Sequence, residues 1–269
     1  GEESPMHTQT LSFSLRIART RADLLAACKV RAESYGHHLP NLRAAIGEPD
    51  LLDGDEHTHV VLCVDKISGD PVGTVRVQTN AGGKLLIEHS TSVPEAIASD
   101  SRAEITRLAA MPGADPLVKL ALMKAAYLYC VAAQVRWMVI GARSEALIRQ
   151  YRRLGFENLF DDDRRVPLLH AGHLDHQLLK FNVTAAERTW HAGKHALYSF
   201  MIETRHPDID LFTTQPALAR RETVASRQTR ERVAPYVVPS RGPTHSSIAS
   251  SSSAALNGLA SAASMPAAL

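Results

Sequence analysis

Ala103-Glu104-Ile105-Thr106-Arg107-Leu108-Ala109-Ala110 sets a carboxylate and a guanidinium three residues apart in an otherwise apolar run. Glu104 to Ala110 reads as a short strand, closed by the breaker Pro112-Gly113-Ala114-Asp115-Pro116. On a regular strand, side chains three apart point to opposite faces, so Glu104 and Arg107 are expected to do different jobs. A carboxylate facing a cleft can accept a proton from an attacking amine. An arginine behind it can pair with another carboxylate or shape the site. On spacing alone, two solvated charges on a surface strand explain the run equally well.

The surroundings of this strand define the fold class. Downstream, Leu117 to Gln134 has the composition and spacing of a helix, and Trp137 to Gly141 that of a buried strand. Ser144 caps a second helix ending at Leu154, with Gly155 where a helix C-terminal glycine belongs. Gln177 to Val183 reads as a last strand. Upstream, Leu11, Phe13, Leu15 and Ile17 alternate with polar residues, the period of a half-buried strand. Thr20 is a candidate N-cap for a helix from Arg21 to Tyr35, with Leu24, Leu25, Cys28 and Ala32 on one side and Gly36 after it. A polar connection then passes through Leu39-Pro40-Asn41 to Glu56. His59 to Val64 and Val72 to Thr79 flank the turn Ser68-Gly69-Asp70-Pro71 as a hairpin. Together these predict an α/β (α+β) domain with a mixed, mostly antiparallel sheet flanked by helices.

Bulk properties narrow the function classes. The chain has 269 residues, 45% of them apolar, enough for a real core. Aromatics at 5% argue against a base-stacking nucleic-acid module. A net charge of +2 names no partner. Cys28, Cys63 and Cys130, each in an apolar stretch and without a Cys-x-x-Cys spacing, read as reduced core residues. No apolar run is long enough for a bilayer and no signal-peptide pattern opens the chain, so a cytoplasmic protein is expected. Residues 1–10 read as an expression remnant and flexible start, 11–184 as the domain, 185–215 as a helical extension, and 216–269 as a Ser- and Ala-rich disordered tail. Glu187, His191 and His195 recur every four residues, and His170, His173 and His176 cluster, but neither set completes a metal site and no metal is expected. Neither set lies near Glu104 in sequence.

Glu-Ile-Thr-Arg-Leu-Ala-Ala resembles the E-x-x-R-[LF]-[AC]-[VA] strand shared by acyl-homoserine lactone synthases and FeeM-type N-acyl amino acid synthases, both of the GNAT fold. Other landmarks follow in order: Arg31 with Tyr35, Asp50 with Asp53, Gly73-Thr74-Val75-Arg76, and Tyr151-Arg152-Arg153-Leu154-Gly155-Phe156. The resemblance spans about residues 11 to 183. It implies acyl transfer with Glu104 and Arg107 at the reaction centre and Arg31, Tyr35, Asp50, Asp53 and Arg76 at the substrate. No covalent acyl-enzyme is needed, and no tightly bound cofactor is implied.

Departures refine the resemblance. GNAT enzymes cradle the coenzyme A pyrophosphate in a glycine-rich loop, where backbone N–H groups approach phosphate. Here Met111 to Pro116 holds one glycine and an aspartate, which favours acyl-phosphopantetheine of acyl carrier protein over acyl-CoA as co-substrate. Arg136, Arg143, Arg149, Arg152 and Arg153 are candidates for docking that acidic carrier, against the plainer reading of a solvated helix face. The lactone synthases carry a tryptophan shortly after the first helix, and this chain has none near Asn41. That disfavours S-adenosylmethionine and leaves a free amino acid, tyrosine by resemblance, as acceptor of a long fatty acyl chain. The alternatives are an acyl-homoserine lactone synthase, an acetyl-CoA-dependent GNAT enzyme, and a silent module that binds acylated carrier or lipid.

Overall fold

The computed structural model describes residues 6–36, 46–193 and 196–212. In chain order the elements are β1 (His7–Thr8), β2 (Phe13–Ile17), α1 (Arg21–Gly36), β3 (Thr58–Asp65), β4 (Pro71–Thr79), α2 (Glu95–Ala98), β5 (Arg102–Ala110), α3 (Leu117–Ala132), β6 (Trp137–Ala142), α4 (Glu145–Arg153), β7 (Glu157–Asn158), β8 (Val166–Leu168), β9 (Leu174–Asn182), α5 (Ala186–Ala192), α6 (Ala196–Tyr198) and β10 (Thr204–Arg205). The main sheet has the order β2-β3-β4-β5-β6-β9-β7, with β8 also on β9. Its neighbours are antiparallel except β5 and β6, which run parallel and are joined by α3. This is the mixed, mostly antiparallel sheet that the sequence predicts.

The predicted end signals act as expected. The Thr20 hydroxyl accepts the Asp23 amide at 3.1 Å, and the Ser144 hydroxyl accepts the Leu147 amide at 3.1 Å. Gly155 takes φ of +101° after α4, and the Phe156 amide returns to the Tyr151 carbonyl.

The two sheet faces differ in kind. One buries Val61, Cys63, Val75, Val77 and Ile105 against α3. That helix is apolar around most of its girth, so it needs cover on both sides. The second cover is the C-terminal extension, whose Trp190, Leu197, Phe200, Met201 and Leu211 join the same core. Gly73 sets the spacing, because a Cβ there would lie 2.6 Å from Val118 Cγ1. The other face carries α1, packed through Leu24 and Ala27 on Val60 and Leu62, and through Val30 and Tyr35 on Ile46 and Ala109. Beside it, Leu85, Ile87 and Ile97 cover Val139 and Leu178.

One expectation changes, and two further segments gain definition. Residues 6–10 are not a flexible start: His7–Thr8 pair in parallel with Thr204–Arg205. The described part of the C-terminal extension packs on the domain. Lys124 on α3 donates to the Phe200 and Thr204 carbonyls, both at 2.7 Å, and faces His206 Nδ1 at 2.8 Å. Burial, then Lys124, pushes His206 down to about 4, so its neutral ring accepts at Nδ1 and donates from Nε2 to Gln9 Oε1 at 2.8 Å. Asn80 to Ser101 is built from short turns and α2, which are too brief to show a helical period. Residues 216–269 lie outside the described residues, and no helix among those described is long and apolar enough to cross a membrane.

Candidate active site

The strand that carries Glu104 and Arg107 contains a fault that the residue pattern conceals. Along β4 and β5, Arg76 pairs with Thr106 and Thr74 with Ala109, so Val75 stands opposite both Arg107 and Leu108. This is a β-bulge, and Arg107 occupies it at φ of +55°, left-handed backbone that a non-glycine residue adopts at a cost. The extra residue resets the alternation. Glu104, Thr106 and Ala109 share the α1 face, Leu108 joins the α3 core, and Arg107 reaches Asp50 on the α1 side. The expectation that Glu104 and Arg107 serve opposite faces therefore fails, because it assumes an unbroken strand.

On the α1 face the remaining landmarks meet. Arg31 clamps Asp53 with two hydrogen bonds of 2.8 and 3.0 Å. Arg76 donates to both Asp50 oxygens at 3.0 and 2.8 Å, to Asp53 at 3.2 Å, and through Nε to the Thr106 hydroxyl at 2.9 Å. Asp50 and Asp53 also accept one another's backbone amides at 3.0 and 2.9 Å. Burial alone would raise the Asp50 carboxyl, but Arg76, then Arg107 and Arg31, hold it well below the usual carboxylate range. Much of the hydrogen-bonding capacity of these residues is spent on each other. They form a brace that fixes the Asp50–Asp53 turn across α1, β4 and β5. Arg107 differs from the other two guanidiniums: its ion pair to Asp50 is 3.7 Å long, and burial and Arg76 lower its pKa while those of Arg31 and Arg76 rise.

Glu104 is 2% exposed and takes the Ile87 amide on Oε1 at 3.0 Å. Burial raises its carboxyl to about 7, against the pull of that amide and of Arg76. A carboxyl that titrates there is matched to proton transfer near neutral pH. His170 lies across from it, Nε2 at 3.7 Å from Glu104 Oε2. The sequence reading sets this histidine apart from the acyltransferase landmarks; the fold returns it to their centre. Leu169–Ala171 is a single 3-10 turn between β8 and β9, and no sequence spacing links it to a strand so far upstream.

The sheet opens beside these groups. β5 and β6 pair only over Arg102–Glu104 and Trp137–Val139, after which β5 continues on β4 and β6 on β9. Tyr35 packs in the cluster on the α1 side and Tyr151 in the core on the α3 side, and burial, with Tyr35 adding to it, raises the Tyr151 hydroxyl. Both hydroxyls are buried and find no hydrogen-bond partner among the described residues. Sequence reasoning uses Tyr151 only as a fold landmark, and its hydroxyl is the feature it misses.

At the start of α3 the amide of Leu117 donates to Asp115 Oδ1 at 2.9 Å, and the Ser12 hydroxyl to Asp115 Oδ2 at 2.8 Å. A carboxylate thus occupies the helix terminus where a pyrophosphate would seek N–H groups. The five candidate docking arginines are spread over more than one element. Arg136 precedes β6 and pairs with Asp100, while Arg143 follows the other end of that strand. Arg149, Arg152 and Arg153 are exposed on α4, Arg152 bonding Asn158 at 2.9 Å. The three cysteines are free and buried. Among the described residues no group of His, Cys, Asp or Glu is arranged to hold a metal ion; His195 and the Leu39-Pro40-Asn41 segment lie outside them.

No family model and no curated protein sequence matches the chain. Among solved structures it is similar to FeeM, an N-acyl amino acid synthase from uncultured soil microbes, at 13% identity over 70% of this chain and 98% of that one, with a TM-score of 0.53. The chain has the GNAT-type fold. Weaker structural likenesses are to the CoA-dependent acyl-homoserine lactone synthase BjaI (15% identity, 79% of this chain and 99% of that one, TM-score 0.48) and to TofI (19%, 68% and 96%, 0.47). β5 and β6 are the one parallel pair of the main sheet among the described residues, and Glu104 stands at the last rung before they part.

Proposed function

We propose that this chain is an N-acyltransferase that moves a fatty acyl group from a carrier thioester to the α-amine of an amino acid by direct attack. The observation that carries the reading is Glu104, a buried carboxyl raised to about 7 at the rung where β5 and β6 separate. The neutral amine adds to the thioester carbonyl, the C–N bond forms and the C–S bond breaks. Glu104 takes the amine proton, directly or through water. The buried Tyr35 and Tyr151 hydroxyls supply donors for the charge that develops on oxygen or departing sulfur. Three guanidiniums, Arg31, Arg76 and Arg107, gather around two aspartates on the same face as Glu104. A guanidinium matches a carboxylate with two parallel hydrogen bonds, so Arg31, Arg76 or Arg107 can pair with the carboxylate of an amino-acid acceptor.

Two features support acyl carrier protein over coenzyme A as donor: the single glycine at 111–116 and the Asp115 carboxylate on the α3 terminus. The test supplies purified protein with acyl carrier protein or coenzyme A charged with a long acyl chain, plus the amino acids, and reads products by mass spectrometry. N-acyl amino acids formed from the carrier are expected, at a rate rising with pH through about 7 as Glu104 ionises. Glu104→Gln is expected to lower that rate by about 10²–10⁴-fold. No N-acyl amino acid from either donor sinks the reading. An undiminished Glu104→Gln sinks only the base assignment.

A further inference from the structure

The proposed chemistry leaves His170 unused, although it stands against the carboxylate that performs the proton transfer. Glu104 has two oxygens to satisfy. Oε1 takes the Ile87 amide, and Oε2 faces the imidazole Nε2 at 3.7 Å. Less than 1 Å of movement closes that gap to an ordinary hydrogen bond, and such contacts tighten when substrate fills a site. The ring itself is mostly enclosed, and its Nδ1 is buried with no hydrogen-bond partner among the described residues. Burial, then His176 on β9, Arg76 on β4, Arg107 on β5 and His89 in the Leu86–His89 turn, pushes the imidazole down to about 3. A neutral ring has one N–H and one lone pair. It can donate from Nε2 to an ionised Glu104, leaving Nδ1 as the bare acceptor. It therefore acts as a hydrogen-bond partner for the carboxylate and not as a counter-charge.

We propose that His170 is a positioning residue for Glu104, holding its second oxygen through Nε2–H and so fixing the carboxylate between the Ile87 amide and the 169–171 turn. The proposal rests on Glu104 being the base of the acyl transfer. The groups that face Glu104 otherwise are Arg76, which favours its ionised form, and Glu88, which opposes it. A hydrogen bond from His170 to the ionised oxygen acts in the same direction as Arg76. Removing the donor while keeping the site dry raises the pH at which Glu104 ionises. Opening the site to water would lower that pH, so the replacement must fill the space.

His170→Phe keeps a ring and removes the nitrogens; His170→Gln keeps an N–H donor at a similar reach. Protein labelled with 13C at the glutamate carboxyl reports the titration of Glu104 without any substrate, its signal assigned by its loss in Glu104→Gln. In His170→Phe the titration midpoint is expected to rise by about one unit, with His170→Gln staying near the unsubstituted protein. The acid limb of kcat/KM for acyl transfer is expected to move by the same amount, lowering the rate about tenfold below the limb, with KM for the acyl donor unchanged. If the carboxyl titration moves but no transfer is found in any form, the pairing stands and the acyltransferase reading falls. If transfer is present and His170→Phe moves neither the carboxyl titration nor the limb, the positioning role is overturned. Equal shifts in His170→Phe and His170→Gln overturn it as well, since the donor would then be irrelevant. Circular dichroism identifies a misfolded variant; if His170→Phe misfolds, His170→Leu takes its place as the dry, donor-free form.

Discussion

The two faces of the sheet solve opposite problems with the same strands. On the α3 face, Val61, Val75, Val77 and Ile105 meet an almost wholly apolar helix, and Gly73 removes the one side chain that would hold it off. On the α1 face, the intervening residues of β4 and β5 are Thr74, Arg76, Gln78, Glu104 and Thr106, all buried or nearly so. Apolar packing tolerates exchange of one hydrocarbon for another of similar volume. A buried ionic cluster does not tolerate loss of a single member, because the remaining charges stay buried without compensation. The domain thus keeps its generic stability on one side and its specific, chemically committed structure on the other.

The largest effect is expected from breaking the brace. Asp53→Ala leaves Arg31, 2% exposed, without its two-pronged partner and should cost about 3–5 kcal/mol in urea denaturation. Arg31→Met combined with Asp53→Leu should recover most of that loss while leaving the Asp50–Asp53 turn poorly held and transfer impaired. A single-variant loss below about 1 kcal/mol would mean the cluster is solvated in solution. A smaller effect is expected on the opposite face. Gly73→Ala drives a methyl into Val118 and should cost about 1–3 kcal/mol by overpacking, with the titration of Glu104 unaltered. A shift of that titration would show that the faces are coupled and not separate.

The difference between the faces also explains what could be read beforehand. Alternation and helix period exposed β2, β3, β4, α1, α3 and α4, because apolar burial repeats along the chain. Gly155, Thr20 and Ser144 were legible for a local reason: each acts within a few residues of itself. The brace was legible only through resemblance, since Arg31, Asp53 and Arg76 are distant in sequence and carry no period. His170 stood out only within a histidine cluster weighed for a metal, because its approach to Glu104 exists only after β8 and β9 fold back. β1 was invisible for a similar reason, its partner being Thr204–Arg205 near the far end of the described chain. The bulge lies between these cases. Its presence depends on pairing with β4, yet it sits in the very stretch that identified the fold.

Arg107 is where the two faces exchange residues, and its backbone and side chain can be tested apart. The bulge sends Leu108 to the apolar side and Ala109 to the α1 side, and it holds only if residue 107 accepts φ of +55°. Any side chain there bears about 1–2 kcal/mol of left-handed strain. Glycine escapes that strain but loses about 0.5–1 kcal/mol through its extra freedom in the unfolded chain. Arg107→Gly should therefore be more stable than Arg107→Ala, by up to about 1.5 kcal/mol after those two terms are combined. At Thr106, one residue earlier and without a positive φ, the order should reverse, Thr106→Gly being the weaker of the pair. Thermal denaturation of the four variants measures both differences. The same sign at both positions would mean the bulge relaxes in solution, and Arg107 would then turn from Asp50 toward the α3 face. If the signs differ and both Arg107 variants bind the acceptor poorly, strain and charge serve one purpose: a backbone fault is kept because it aims a guanidinium at the cleft.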